Sequence, residues 1–137
     1  MESRGRFDYD FSGKSLLVAE DNMISFKLIA TLFARVNASV THASNGREAI
    51  ELCSGDQHFD LVVMDIQMPE VGGIEATREI KKLRPNLPVI AATANTFDSE
   101  EEACREAGCD SYITKPLQFS QLFELIQFHF DRQTSPD

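Results

Sequence analysis

Short apolar runs alternate along this chain with longer stretches that repeat at helical spacing, and this alternation constrains the fold more than any other feature. Leu16-Leu17-Val18-Ala19, Leu61-Val62-Val63-Met64 and Val89-Ile90-Ala91-Ala92 are nearly continuous hydrophobic runs. Ser39 to Ala43 and Ser111 to Thr114 are two further strand candidates. Ile24, Leu28, Leu32 and Val36 mark the apolar spacing of a first helix. Residues Gly46 to Cys53 read as a second helix, with Ala49, Ile50 and Cys53 facing inward. Ile74, Thr77, Ile80 and Leu83 mark a third, stopped by Pro85. A fourth starts at a capping box, Ser99-Glu100-Glu101-Glu102, and ends at Gly108. Phe119, Leu122, Phe123, Ile126 and Phe130 make the fifth. Strand and helix in strict alternation predict an α/β fold: a five-stranded parallel sheet with helices on both faces.

The globular part is expected over residues 14–131, with 1–13 a linker or extension and 132–137 a tail. A net charge of −9 disfavours a nucleic-acid surface, which needs clustered Lys and Arg. Cys53, Cys104 and Cys109 form neither a disulfide framework nor a zinc-ligand set, so reduced thiols and a cytoplasmic setting are expected. No apolar run approaches the roughly 18 residues of a membrane span, so no direct membrane contact is expected. His42, His58 and His129 carry no paired motif and read as surface or boundary residues. Phe128 lies off the inward stripe of the last helix, where it is open to a partner.

What ends each strand carries the chemistry. The first ends in Glu20-Asp21, the third in Asp65, the fourth in Thr93 and the fifth in Lys115-Pro116. In a parallel sheet these ends share one edge, where ligands of open α/β sheets bind. Three carboxylates held close repel one another, and a divalent cation relieves that repulsion. An all-oxygen set suits Mg²⁺, with Mn²⁺ an acceptable substitute. A carboxylate beside a hard cation and a lysine is poised to attack a phosphoryl group, a reaction governed by positioning and charge neutralisation.

Asp65, ending the most apolar strand, is the expected nucleophile. Asp21 and Asp65 are expected to ligate the metal directly, Glu20 through a water and Gln67 through its carbonyl. Lys115 is expected to pair with Asp65 at rest and with a phosphoryl oxygen afterwards. Thr93 is expected to hydrogen-bond another phosphoryl oxygen. Each residue alone has a plainer reading. A strand-end Asp is usually a cap or a solvated turn, and Asn22 competes with Glu20-Asp21 for the first helix cap. Thr93 alone is an ordinary strand residue, Lys115 a surface charge, and the Glu100-Glu101-Glu102 run a solvated helix start. Their joint occurrence at strand ends favours the site.

Ala19-Glu20-Asp21-Asn22, Val63 to Pro69, Ala92-Thr93-Ala94 and Tyr112 to Pro116 resemble the response-regulator receiver family, as does the turn Gly72 to Glu75. That resemblance implies a flavodoxin-like (βα)5 fold with strand order 2-1-3-4-5. It implies a two-component phosphorelay in which a histidine kinase or histidine phosphotransfer protein donates phosphoryl from a phosphohistidine to Asp65. The domain then hydrolyses its own phosphoaspartate. It further implies that Thr93 and Tyr112 switch on phosphorylation, altering the face of helix 4, strand 5 and helix 5, and that the Lys115-Pro116 peptide is cis. Gln67 and Asn95 match positions flanking the water's route to the phosphoryl group. The scant apolar content of the fourth helix (Ala103, Cys104, Ala107) fits a moving part, with Phe97 its neighbouring anchor.

Other functions compete. A haloacid-dehalogenase-like phosphatase expects an acid two residues after the nucleophile, where Gln67 stands. A pseudo-receiver that never becomes phosphorylated is disfavoured by the intact acids, Thr93 and Lys115. A flavodoxin-like cofactor protein lacks its phosphate loop after the first strand. The segment Phe7 to Lys14 resembles the linker before receivers in hybrid histidine kinases, which favours a hybrid kinase over a free-standing regulator, so the cytoplasmic part of a membrane-bound kinase is one setting. A monomer or weak dimer is expected.

Overall fold

The computed structural model describes residues 9–68, 70–94 and 98–134, leaving out the side chains of Asp98, Ser99 and Thr134. The expectations for Asn95 and Phe97 fall outside that set.

Ten elements alternate: β1 (Ser15–Ala19), α1 (Met23–Arg35), β2 (Ser39–Ala43), α2 (Gly46–Ser54), β3 (Leu61–Asp65), α3 (Gly73–Leu83), β4 (Val89–Thr93), α4 (Asp98–Ala107), β5 (Ser111–Thr114) and α5 (Phe119–Thr134). All pairings are parallel and the sheet order is β2-β1-β3-β4-β5, as the resemblance implied. The strand β3 is central and buried throughout.

Alternating side chains of each strand feed two cores. Leu16, Val18, Leu61, Val63, Ile90 and Ile113 pack with α1 and α5. Leu17, Val62, Met64, Val89 and Ala91 pack with Ala49 and Cys53 of α2, Ala76 and Ile80 of α3, and Cys104 of α4. Within the expected N-terminal extension, Tyr9 and Phe11 belong to the first core, and Phe11 meets Phe123 and Phe130 edge to face. The helix α5 continues past Asp131 to Thr134.

Several sequence expectations need correction, among them Leu83 of α3, which is 47% exposed. Ile24 and Leu28 do not face the core: they are 82% and 55% exposed, and α1 instead buries Ile29, Leu32 and Phe33. Apolar residues surround this helix, so spacing alone leaves its rotation ambiguous; contact with β1 and α5 decides it. His129 is buried, with Nε2 2.8 Å from Ser111 Oγ. That burial holds its pKa below the ordinary histidine value.

Local chemistry sets the loops that lead to the sheet edge. Asn22 caps α1 by accepting from the Ser25 N–H at 2.9 Å, which leaves Glu20 and Asp21 free for the site. Gly73 opens α3 against the end of β3: a Cβ there would lie 2.3 Å from the Asp65 carbonyl oxygen. Gly108 ends α4 at φ 110°, the left-handed stop expected of it.

The acidic site at the carboxyl edge of the sheet

Backbone pairing continues past the strand ends and fixes the residues just beyond them. Glu20 N–H donates to the Ala43 carbonyl at 2.9 Å, Ile66 N–H to Ala92 at 2.9 Å and Lys115 N–H to Thr93 at 2.7 Å. The ladder therefore delivers Glu20, Asp65 and Lys115 to one edge from three separate strands.

Carboxylate oxygens of Glu20, Asp21 and Asp65 all lie within 4.8 Å of one another. Glu20 and Asp65 are buried and Asp21 is exposed, so the cluster opens to solvent on one side. Lys115 Nζ lies 3.2 Å from Asp65 Oδ2 and 3.4 Å from Glu20 Oε1. The Lys115-Pro116 peptide is cis. The Gln67 backbone N–H donates to Asp65 Oδ1 at 3.1 Å, and Asn22 N–H to Glu20 Oε2 at 3.2 Å.

These contacts do not fully offset the cost of burying charge. Burial first, and the Glu20 carboxylate second, push the Asp65 pKa up to about 6, against the opposing pull of Lys115 and the Gln67 N–H. Burial also works against the Lys115 charge, yet Asp65 and Glu20 outweigh it and hold its pKa above the ordinary lysine value. Excess negative charge in an all-oxygen cluster, open on one side, is the donor chemistry that suits Mg²⁺.

The structure thus brings together Glu20, Asp21, Asp65 and Lys115. Thr93 ends β4, the neighbour of β3, and is fully buried. Its hydroxyl donates to Glu100 of α4. Tyr112 on β5 is half-buried against the core shared with α4. Gln67 is exposed.

Two contributors escaped the sequence reading. One is the Gln67 N–H on Asp65, which no side-chain pattern reports. The other is Glu100, read as part of a solvated helix start but half-buried and bonded to Thr93. Its spacing to Cys104 and Ala107, one helical face, was the available signal.

The sequence pattern of the response regulator receiver domain matches residues 16–127. The chain is 38% identical to the polar-differentiation response regulator DivK of Brucella ovis, covering 83% of this chain and 94% of that protein. It is 32% identical to a probable histidine kinase 4 of Oryza sativa subsp. japonica, covering 84% of this chain but only 14% of the kinase. Among solved structures, it resembles the receiver domain of a sensor histidine kinase from Pseudomonas aeruginosa PAO1, described with magnesium coordinated in its active-site cleft. The TM-score is 0.81 at 30% identity, covering 88% of this chain and 99% of that one. It also resembles the complex of the Saccharomyces cerevisiae histidine phosphotransfer protein Ypd1 with the receiver domain of Ssk1, with a TM-score of 0.85 at 25% identity, covering 93% and 95%. No helix among the described residues is long and apolar enough to cross a membrane. With its fold, acidic cluster and family match in agreement, the chain belongs to the response regulator receiver family and is a phosphoacceptor domain with a magnesium-binding acidic site.

Proposed function

We propose that Asp65 is the phosphoacceptor and that its donor is a phosphohistidine on a histidine kinase or phosphotransfer protein. The observation that carries this reading is one carboxylate, Asp65, held within 4.8 Å of two others and 3.2 Å from an ammonium at the carboxyl edge of the sheet. Asp21 and Asp65 would hold Mg²⁺ directly, with Glu20 acting through water and the Gln67 carbonyl completing the protein's share; Mn²⁺ would fit the same donors. When bound, the cation neutralises charge on the phosphoryl oxygens.

An Asp65 oxygen forms the new O–P bond as the P–N bond of the donor breaks. The bonding pair returns to the imidazole nitrogen, and the ring takes a proton from solvent. Lys115 then transfers its contact from Asp65 to a phosphoryl oxygen, and Thr93 offers its hydroxyl to another. Thr93 and Tyr112 shift in response, changing the face formed by α4, β5 and α5.

The partner's seat is the exposed apolar end of α1. Met23, Ile24 and Leu28 are 50%, 82% and 55% exposed, beside a cavity of about 210 Å³ lined by Glu20, Ser25, Leu28, Lys115, Leu117 and Phe119. An apolar surface adjoining the acceptor suits a helical donor that must bring its histidine to Asp65.

The chain is further proposed to be the receiver segment of a hybrid histidine kinase. The linker-like segment Phe7 to Lys14 and the kinase relatives support this; the near-complete coverage of DivK favours a free-standing regulator instead. The reading frame upstream of Met1 decides between them: a continuous kinase core supports the hybrid and an in-frame stop refutes it.

Incubation with acetyl phosphate and Mg²⁺, followed by intact mass measurement, tests the phosphoacceptor. A gain of one phosphoryl group, lost in Asp65→Asn and without Mg²⁺, is expected. A gain that persists in Asp65→Asn refutes the assignment.

A further inference from the structure

Thr93 and Glu100 are joined by a hydrogen bond from the threonine hydroxyl to Oε1 of the glutamate. Thr93 is fully buried at the end of β4. Glu100 lies in the first turn of α4 and shares a helical face with buried Cys104 and Ala107. Packing of that face carries the carboxylate inward.

A threonine hydroxyl has one proton to give, and an ionised carboxylate only accepts. Tyr112 of β5 lies beside the same Thr93 side chain. The Thr93–Glu100 bond ties the end of β4 to α4. Burial first, and the Glu100 carboxylate second, hold the Tyr112 phenol above its ordinary pKa, as expected if the carboxylate faces it.

We infer that Glu100 is a positioning residue for phosphoryl transfer: it holds the Thr93 proton in the unphosphorylated domain and must yield it before Thr93 bonds a phosphoryl oxygen. The inference deepens the phosphoacceptor reading of Asp65 and rests on it. One proton cannot serve both acceptors, so the two bonds exclude each other. Bonds to a charged acceptor are among the stronger hydrogen bonds, so Glu100 weights the balance toward the resting arrangement. The same bond anchors the first turn of α4 to the sheet, and its loss frees that turn. Charge arriving at Asp65 is thereby felt at α4 without any contact between Asp65 and Glu100.

The test is the affinity of the full chain for fluoroberyllate, a mimic of aspartyl phosphate, measured with Mg²⁺ by nuclear magnetic resonance titration. Glu100→Ala is expected to bind roughly tenfold tighter than wild type, the scale of one hydrogen bond to a charged group. Glu100→Gln keeps an accepting oxygen without the charge and should fall between the two. In a Thr93→Ala background, Glu100→Ala should change affinity by less than about twofold, because no proton remains to compete for. Equal tightening with and without the Thr93 hydroxyl would overturn the inference, since Glu100 would then act through α4 alone. Unchanged or weaker binding in both Glu100 variants would overturn it as well. A wild-type chain that fails to bind fluoroberyllate would instead overturn the phosphoacceptor reading, and the inference with it.

Discussion

The Lys115 ammonium stands 3.2 Å from the Asp65 carboxylate and 3.4 Å from that of Glu20, so a single cation serves two buried acids. The pairing leaves net negative charge at the edge of the sheet; burial first, and this surplus second, raise the Asp65 pKa, and the surplus creates the demand for a metal.

Replacing Lys115 by Met should therefore strand both carboxylates. Lys115 is 30% exposed, so solvent screens part of its effect, and a loss of roughly 1–2 kcal/mol at neutral pH is expected in the metal-free domain. Chemical denaturation with and without Mg²⁺ checks this, and the cation should restore more stability to the variant than to wild type. Phosphorylation by acetyl phosphate should fall by more than about tenfold, because Lys115 no longer meets the phosphoryl oxygen.

The Asp65 titration sets a pH signature. Its folded pKa of about 6 lies above the ordinary aspartate value of 3.8, so protonation favours the folded state. The contribution to stability is full below 3.8 and is lost as pH rises through about 6. With metal removed by chelation, Asp65→Asn should be more stable than wild type at neutral pH by up to about 3 kcal/mol. The two should converge as the pH falls below roughly 4. Urea melts across that range measure the gap, and a constant difference at every pH would contradict the burial argument.

Ile24 separates docking from chemistry. Ile24→Glu puts a charge on a side chain that is 82% exposed and remote from the core, so stability should barely change. Transfer from a phosphohistidine donor should slow by roughly tenfold, while the acetyl phosphate reaction stays within about twofold. Parallel rate measurements with the two donors decide it, and equal slowing of both would remove α1 as the seat.

Gly73 tests how tightly the backbone holds Asp65. An added Cβ meets the Asp65 carbonyl oxygen at 2.3 Å and the Ile66 Cα at 2.7 Å, and neither can move without shifting the end of β3. Gly73→Ala should cost about 1–3 kcal/mol and weaken Mg²⁺ binding. Thermal melts and a Mg²⁺ titration read the two effects, whereas Gly13→Ala, which meets nothing within 4 Å, should leave Mg²⁺ binding intact.

Much of the molecule was legible in its residues. The buried strands are short enough and apolar enough to be recognised singly, and Glu20, Asp21, Asp65, Thr93 and Lys115 each follow or close one of them. Parallel pairing then forces those ends to one edge, so the sequence alone assembles the acids and the lysine. The strand order came from family resemblance, because periodicity says nothing about which strands are neighbours.

Other features were settled only by packing in three dimensions. The apolar residues of α1 encircle the helix, and contact with the sheet and α5 chose Ile29, Leu32 and Phe33 over Ile24 and Leu28. His129 looks like a boundary residue until Ser111, at the start of β5, meets its imidazole. Glu100 looks like one of three solvated acids until the approach of α4 to β4 sets its carboxylate on the Thr93 hydroxyl. Spacing along one element is a local property and survives in the sequence. The rotation of a helix and the partner of a side chain depend on surfaces contributed by distant residues, so they exist only once the chain has folded.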